Sequence, residues 1–257
     1  MSVLDSIIEG VREDLAKRRR SLGELHEKMS QAAAPLDAHQ VLRGDAMKVI
    51  AEVKRASPSK GELSSIGDPA ALAEQYESAG ASVISVLTEE RRFKGSLADL
   101  TAVRARVAIP ILRKDFMIDE YQFFEARAHG ADMVLLIVAA LAKSQLRDFY
   151  DLATEMGMAA LIEVHTADEL ERAMEITPRI VGVNSRNLKT LDVNQGAFAE
   201  LIPQIPVEVI RVAESGISAR RDVEFAQSYG ADVILVGEAL VTSANPTLAM
   251  RTLLGQG

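Results

Sequence analysis

Glu52 and Lys54 stand two residues apart in an otherwise apolar, β-branched run, Val-Ile-Ala-Glu-Val-Lys at 49–54. In a strand this spacing turns Ile50, Glu52 and Lys54 to one face and Val49, Ala51 and Val53 to the other. A carboxylate and an ammonium facing a core must be paired or put to use, because an isolated buried ion changes protonation state rather than stay charged. The run leads into Ser57-Pro58-Ser59-Lys60-Gly61, which reads as a flexible polar loop. Other short apolar runs end in the same kind of residue: Thr88 and Glu89, Lys114 and Asp115, Glu163 and His165, Asn184 and Arg186, Glu214 and Ser215, Gly237 and Glu238. One polar strand end is an ordinary solvated loop. Lysines and carboxylates recurring at end after end are the equipment for proton transfer.

The elements that must position these groups alternate regularly. From residue 49 a β-branched run is followed by an amphipathic one, eight times, with strands expected at 49–54, 82–88, 109–114, 133–138, 159–165, 180–184, 209–214 and 233–236. Asp68-Pro69 and Asn245-Pro246 read as an N-cap with proline at the first helical position. Thr166 with Glu169 reads as a capping box, and Asp119 and Ser218 as further caps. Gly80, Gly130, Gly157 and Gly230 read as helix ends. Strict alternation implies parallel strands joined by right-handed crossovers. Eight units in 257 residues fit a single closed (β/α)8 TIM barrel, an α/β fold, better than a doubly wound sheet. No Gly-x-Gly-x-x-Gly and no Gly-x-x-x-x-Gly-Lys-Ser/Thr occurs, so a dinucleotide fold and a P-loop lack their fingerprints. The expected organisation is one domain over 1–257, of which 1–47 is an N-terminal helical extension.

In that extension Leu4, Ile8, Val11 and Leu15 recur at helical spacing, so the helix needs a surface to cover. Leu22, Leu25 and Met29 suggest a second short helix, and residues 31–35 a loop. Arg18-Arg19-Arg20 reads as a solvated helix end, where cations are favoured.

Composition narrows the partners. With a net charge of -8, the chain lacks the basic field of a nucleic-acid or anionic-membrane surface, so an anionic ligand needs local cations. The absence of cysteine rules out disulfides, thiolate metal sites and a cysteine nucleophile, and fits a reducing cytoplasm. No His-x-x-x-His or Asp-rich cluster suggests a metal. Gly216 and Gly237 follow the last two strands, where backbone N–H groups of such barrels bind phosphate. Glu238 beside them points to main-chain binding, with the carboxylate turned away. Phe93 and Phe116 follow strands and suit an apolar wall for an aromatic ligand. Tyr121 with Phe123-Phe124 reads as core, and His165, with no partner apparent in the sequence, as a supporting residue rather than a base. The Arg91-Arg92 pair has no assignable role.

The sequence resembles the indole-3-glycerol-phosphate synthase family of tryptophan biosynthesis over nearly its whole length. The resemblance rests on Val-Ile-Ala-Glu-Val-Lys-Arg-Ala-Ser-Pro-Ser-Lys-Gly at 49–61, Phe-Lys-Gly-Ser at 93–96, Leu-Arg-Lys-Asp-Phe at 112–116, Glu-Val-His-Thr at 163–166, Val-Asn-Ser-Arg-Asn-Leu at 183–188 and Glu-Ser-Gly at 214–216. It implies a carboxy-lyase that closes the ring of 1-(2-carboxyphenylamino)-1-deoxyribulose 5-phosphate, without a cofactor. It further implies Lys114 as general acid, Glu163 as base, and Lys54 as a second acid or an anion clamp, with Glu52 orienting the ammonium groups. Asn184, Arg186, Glu214 and Ser215 would position substrate, Ser57 and Pro58 would meet its anthranilate end, and Gly216 and Gly237 its phosphate. Glu238 departs from the family pattern, in which some relatives carry a small hydroxyl residue. The expected partner is a small anionic phosphosugar bound to a cytoplasmic monomer, with association with another pathway enzyme left open. Phosphoribosylanthranilate isomerase, whose family pattern uses a cysteine base, and a non-catalytic phosphosugar-binding barrel are the alternatives; the second would not need Lys114, Glu163 and Lys54 together.

Overall fold

The computed structural model describes residues 2–188 and 190–256. Eight parallel strands close into a barrel: β1 Lys48–Val53, β2 Val83–Leu87, β3 Ile111–Lys114, β4 Met133–Ile137, β5 Ala159–Val164, β6 Ile180–Asn184, β7 Ile210–Glu214 and β8 Val233–Val236. Each pairs with its sequence neighbours, and β1 joins the ring by pairing with both β2 (Ile50 with Val83) and β8 (Ile50 with Leu235). The period-two pattern has the expected outcome. Ile50, Leu112, Met133, Leu135, Leu161, Val212 and Leu235 fill the barrel interior, while Val49, Ala51, Val53, Ile84 and Val86 pack outward under the helices.

The helices are α1 Val3–Arg18, α2 Leu22–Gln31, α3 Ala38–Leu42, α4 Pro69–Ser78, α5 Leu97–Arg104, α6 Tyr121–Ala128, α7 Lys143–Glu155, α8 Ala167–Met174, α9 Gly196–Leu201, α10 Arg220–Ser228, α11 Glu238–Val241 and α12 Pro246–Leu253. Asp68 and Asn245 cap α4 and α12 as expected. Gly80, Gly130, Gly157 and Gly230 take left-handed backbone where four helices end. Tyr121 and Phe123 are buried.

Local details differ from expectation where tertiary partners compete. Thr166 caps α8, but Glu169 does not complete the box, because its carboxylate accepts from the backbone and ring of His165 instead. Ser218 lies outside the cap of α10; its N–H and hydroxyl both donate to Asp222. The cap residue of α6 is Glu120, while Asp119 accepts from the N–H of Tyr121 and from Arg19. The polar loop after β1 is folded as a hairpin, Ala56–Ser57 against Gly61–Glu62.

α1 buries Leu4, Ile7, Val11 and Leu15, with Ile7 rather than Ile8 the fully covered member of the stripe. Leu4, Ile7 and Val11 join the cluster that fills the barrel interior, as do Ala38 and Leu42 of α3. Arg18-Arg19-Arg20 is not simply a solvated end. Arg18 forks onto the buried carboxylate of Glu125 on α6, and Arg19 pairs with Asp119 and lies over the Tyr121 ring. Arg113, fully buried on β3, meets that same Glu125 and Asp115, so the extension is tied into the barrel wall through a shared carboxylate. Arg91 and Arg92 act similarly, pairing with Glu13 and Asp14 and donating to Ser6 of α1.

Candidate active site

A cavity of about 660 Å³ opens at the carboxyl ends of the strands. Every residue singled out above for catalysis, substrate or phosphate lines it. Alternation explains the convergence, since β1, β3, β5, β6 and β7 each end with an inward position occupied by a polar group. β2, β4 and β8 contribute apolar residues instead, Leu87, Leu135 with Ile137, and Leu235.

At the floor, Lys114 Nζ lies 3.4 Å from Glu163 Oε2 and 3.6 Å from Glu214 Oε2. Lys54 Nζ lies 2.7 Å from Glu52 Oε1, the pairing that a carboxylate and an ammonium on one face of β1 required. Burial would lower the Lys114 pKa, but Glu163, Glu214 and Glu52 outweigh it, so the pKa is raised and the group is an ammonium throughout the physiological range. Burial opposes ionisation of Glu163 as well, yet Lys114, His165 and Asn184 together hold that carboxyl well below its usual range. Glu214 goes the other way: burial and the negative charge of Glu163 push it up to about 8, against Lys114. Glu163 is the ionised member of the pair, because it has the shorter contact to Lys114 and a second cationic neighbour in His165.

His165 has partners that its place in the sequence did not reveal. Its Nδ1 bonds Glu169 Oε2 at 2.9 Å, and its Nε2 lies 3.3 Å from Glu163 Oε1. The signal was available, since Glu163 and His165 alternate onto one face.

The rim is built from loops. Phe93 and Phe116 face each other with ring centroids 6.2 Å apart. Arg186 donates to Ser59 Oγ, which ties the β6 loop to the hairpin carrying Ser57 and Pro58. Ser215 and Gly216 both take left-handed backbone, which turns the β7 loop sharply at the expected phosphate position. The Glu238 carboxylate is taken by Lys60, 3.0 Å away. Val3, Leu4 and Ile7 of α1 also line the cavity, a contribution that an amphipathic stripe alone could not assign to any surface.

A closed (β/α)8 barrel with paired lysines and carboxylates converging in one mouth has the layout of a barrel enzyme, and groups of this kind are suited to proton transfer. The chain belongs to the indole-3-glycerol phosphate synthase family, whose model matches residues 4–253. Indole-3-glycerol phosphate synthase 1 of Streptomyces coelicolor is 55% identical over 259 residues, spanning 100% of this chain and 96% of that protein. The synthase of Arthrobacter sp. strain FB24 is 58% identical over 253 residues, spanning 96% and 93%. Among solved structures, the N-acetylmannosamine-6-phosphate 2-epimerase of Clostridium perfringens superposes with a TM-score of 0.63 at 14% identity, over 84% of this chain and 94% of that one. The 3-hexulose-6-phosphate synthase of Salmonella typhimurium gives 0.62 at 14% identity, over 81% and 97%. These two likenesses concern the barrel alone.

Proposed function

We propose that this chain converts 1-(2-carboxyphenylamino)-1-deoxyribulose 5-phosphate to indole-3-glycerol phosphate, carbon dioxide and water. The observation carrying the residue roles is the contact of Lys114 with Glu163 and Glu214 on the cavity floor. The ring carbon that bears the carboxyl group attacks the ketone, and Lys114 gives its proton to the developing alkoxide. Loss of carbon dioxide restores the benzene ring. The hydroxyl then leaves as water on protonation, and Glu163 accepts the proton released as the new ring becomes aromatic.

The glutamates hold the Lys114 proton tightly, contrary to a simple picture in which burial alone tunes the lysine downward. The two transfers are therefore linked: once Lys114 has given up its proton, Glu163 loses the neighbouring charge that lowers its pKa and becomes a better acceptor. Lys54 serves as the second acid or clamps a substrate anion, with Glu52 beside it. Asn184, Arg186, Glu214 and Ser215 position substrate, Ser57, Pro58, Phe93 and Phe116 contact its aromatic part, and the amides near Gly216 and Gly237 take the phosphate. Glu238 reaches the phosphate only through Lys60. The proposed setting is a cytoplasmic monomer, the cytoplasm being in accord with the absence of cysteine, and the small anionic phosphosugar finds in Lys54, Lys60, Lys114 and Arg186 the local cations that a chain of net charge -8 must supply. No helix among the described residues is long and apolar enough to cross a membrane.

The test follows indole fluorescence, which no tryptophan obscures. Lys114→Met and Glu163→Gln should each fold normally and lose kcat by roughly 100-fold or more. Near-normal turnover in either variant removes that residue from the mechanism. Substrate binding by the intact chain without any fluorescence change would favour a non-catalytic phosphosugar-binding barrel.

A further inference from the structure

We propose that His165, clamped by Glu169, is a positioning residue that holds Glu163 in place and supplies a fixed positive charge behind it. The inference rests on Glu163 being the base. His165 is the first residue beyond β5, two positions after Glu163, so alternation sets both side chains on one face, His165 buried behind the cavity that Glu163 lines. The following turn belongs to α8, whose Glu169 accepts from the His165 N–H at 2.8 Å and from its ring at 2.9 Å. These two hydrogen bonds to one carboxylate oxygen fix both the backbone and the ring, and explain why Glu169 left the capping box unfinished. It also presents Nε2 to Glu163 Oε1 at 3.3 Å. Nε2 is off the line of a hydrogen bond and is otherwise unpartnered among the described residues, so the contact is one of charge.

The charge state follows from this geometry. An imidazole between two carboxylates needs a proton on each nitrogen, since a bare nitrogen would set its lone pair against an anion. With a side chain only 9% exposed, little solvent screens the ring. The charged groups acting on it are Glu163 on β5 and Glu169 on α8, while Lys114 on β3 and Glu214 on β7 act on Glu163 from its other side. Glu163 thus lies between two cations. When Lys114 gives up its proton, His165 remains charged, so the base stays held in place through the step at which its other partner is lost.

His165→Gln retains a donor and removes the charge. Its kcat should fall roughly 10- to 100-fold with KM changed far less. The acid limb of the kcat profile should move up by about 1 unit or more, because a carboxylate without its cation protonates more readily. Glu169→Gln, which keeps the side-chain length, should shift the same limb in the same direction by a smaller amount. In a Glu163→Gln background, His165→Gln should cost little more, as expected for residues acting as one unit. If Glu163→Gln abolishes turnover while both His165→Gln and Glu169→Gln leave kcat and the acid limb unchanged, the positioning role of His165 is wrong and the base assignment survives. If Glu163→Gln turns over normally, the base assignment itself has failed. A circular-dichroism melt of each variant separates these outcomes from unfolding, and Glu169→Gln carries the test should His165→Gln not fold.

Discussion

A Cβ atom on Gly182 would clash with Glu214 Oε1, and one on Gly237 would lie 2.6 Å from Glu52 Oε1. Both glycines therefore do at the residue scale what no polar side chain could, which is to leave room for a carboxylate beside the lysines. Gly182→Ala should displace Glu214 and through it Lys114. An ångström of misplacement at a reacting group costs about 100-fold, so kcat should fall by roughly that factor while KM moves less. An unchanged kcat in a Gly182→Ala protein would show that the position of Glu214 does not matter to the chemistry. The polar strand ends were legible because period two is a local property, and they located Glu52, Lys54, Lys114, Glu163 and Glu214 without further help. The glycine requirement was not legible, since it depends on a side chain from the adjacent strand.

At the scale of elements, α1 belongs to the site as well as to the scaffold. Its apolar stripe was evident from spacing, but which surface it covers depends on Arg18 reaching Glu125 on α6 and Arg91 reaching Glu13 and Asp14. Exposed pairs such as those of Arg91 contribute little each. Most of the attachment comes from burying Leu4, Ile7, Val11 and Leu15, each worth about 1.5–3 kcal/mol. Ile7→Ala should destabilise the protein by about 2–5 kcal/mol through the cavity it leaves. Because Ile7 also lines the active cavity, KM should rise several-fold with kcat nearly preserved. Steady-state kinetics together with denaturant melts check both effects, and unchanged KM would confine α1 to a structural role.

For the whole molecule, the buried charges make stability depend on pH in both directions. His165 is raised from 6.5 to about 10 by Glu163 and Glu169 against the effect of burial, so its contribution is complete below pH 6.5 and is lost as pH rises towards 10. Glu214, raised by burial and Glu163 from 4.5 to about 8, has the same sign and loses its contribution across that interval. Burial opposes ionisation of Glu52 and Glu163, but Lys54 and Lys114 for the first and Lys114 for the second lower them below 4.5, and they favour the fold until acid protonates them. The melting temperature should therefore decline above pH 7 as well as in acid. The gap between the protein and His165→Gln should narrow steadily from pH 6 to pH 10; a constant gap would mean that His165 is not charged in the fold. The sequence by itself determined the eight-fold alternation, hence the closed barrel, and the end of it at which polar groups gather, because both follow from periodicities shorter than one element. Only the tertiary structure decided which charges meet. Lys114 and Glu163 are 49 residues apart, and Glu214 of β7 reaches the same lysine only across the closed barrel. A charge state is set by the distance to partners and by exclusion of water, and neither exists until the barrel has closed.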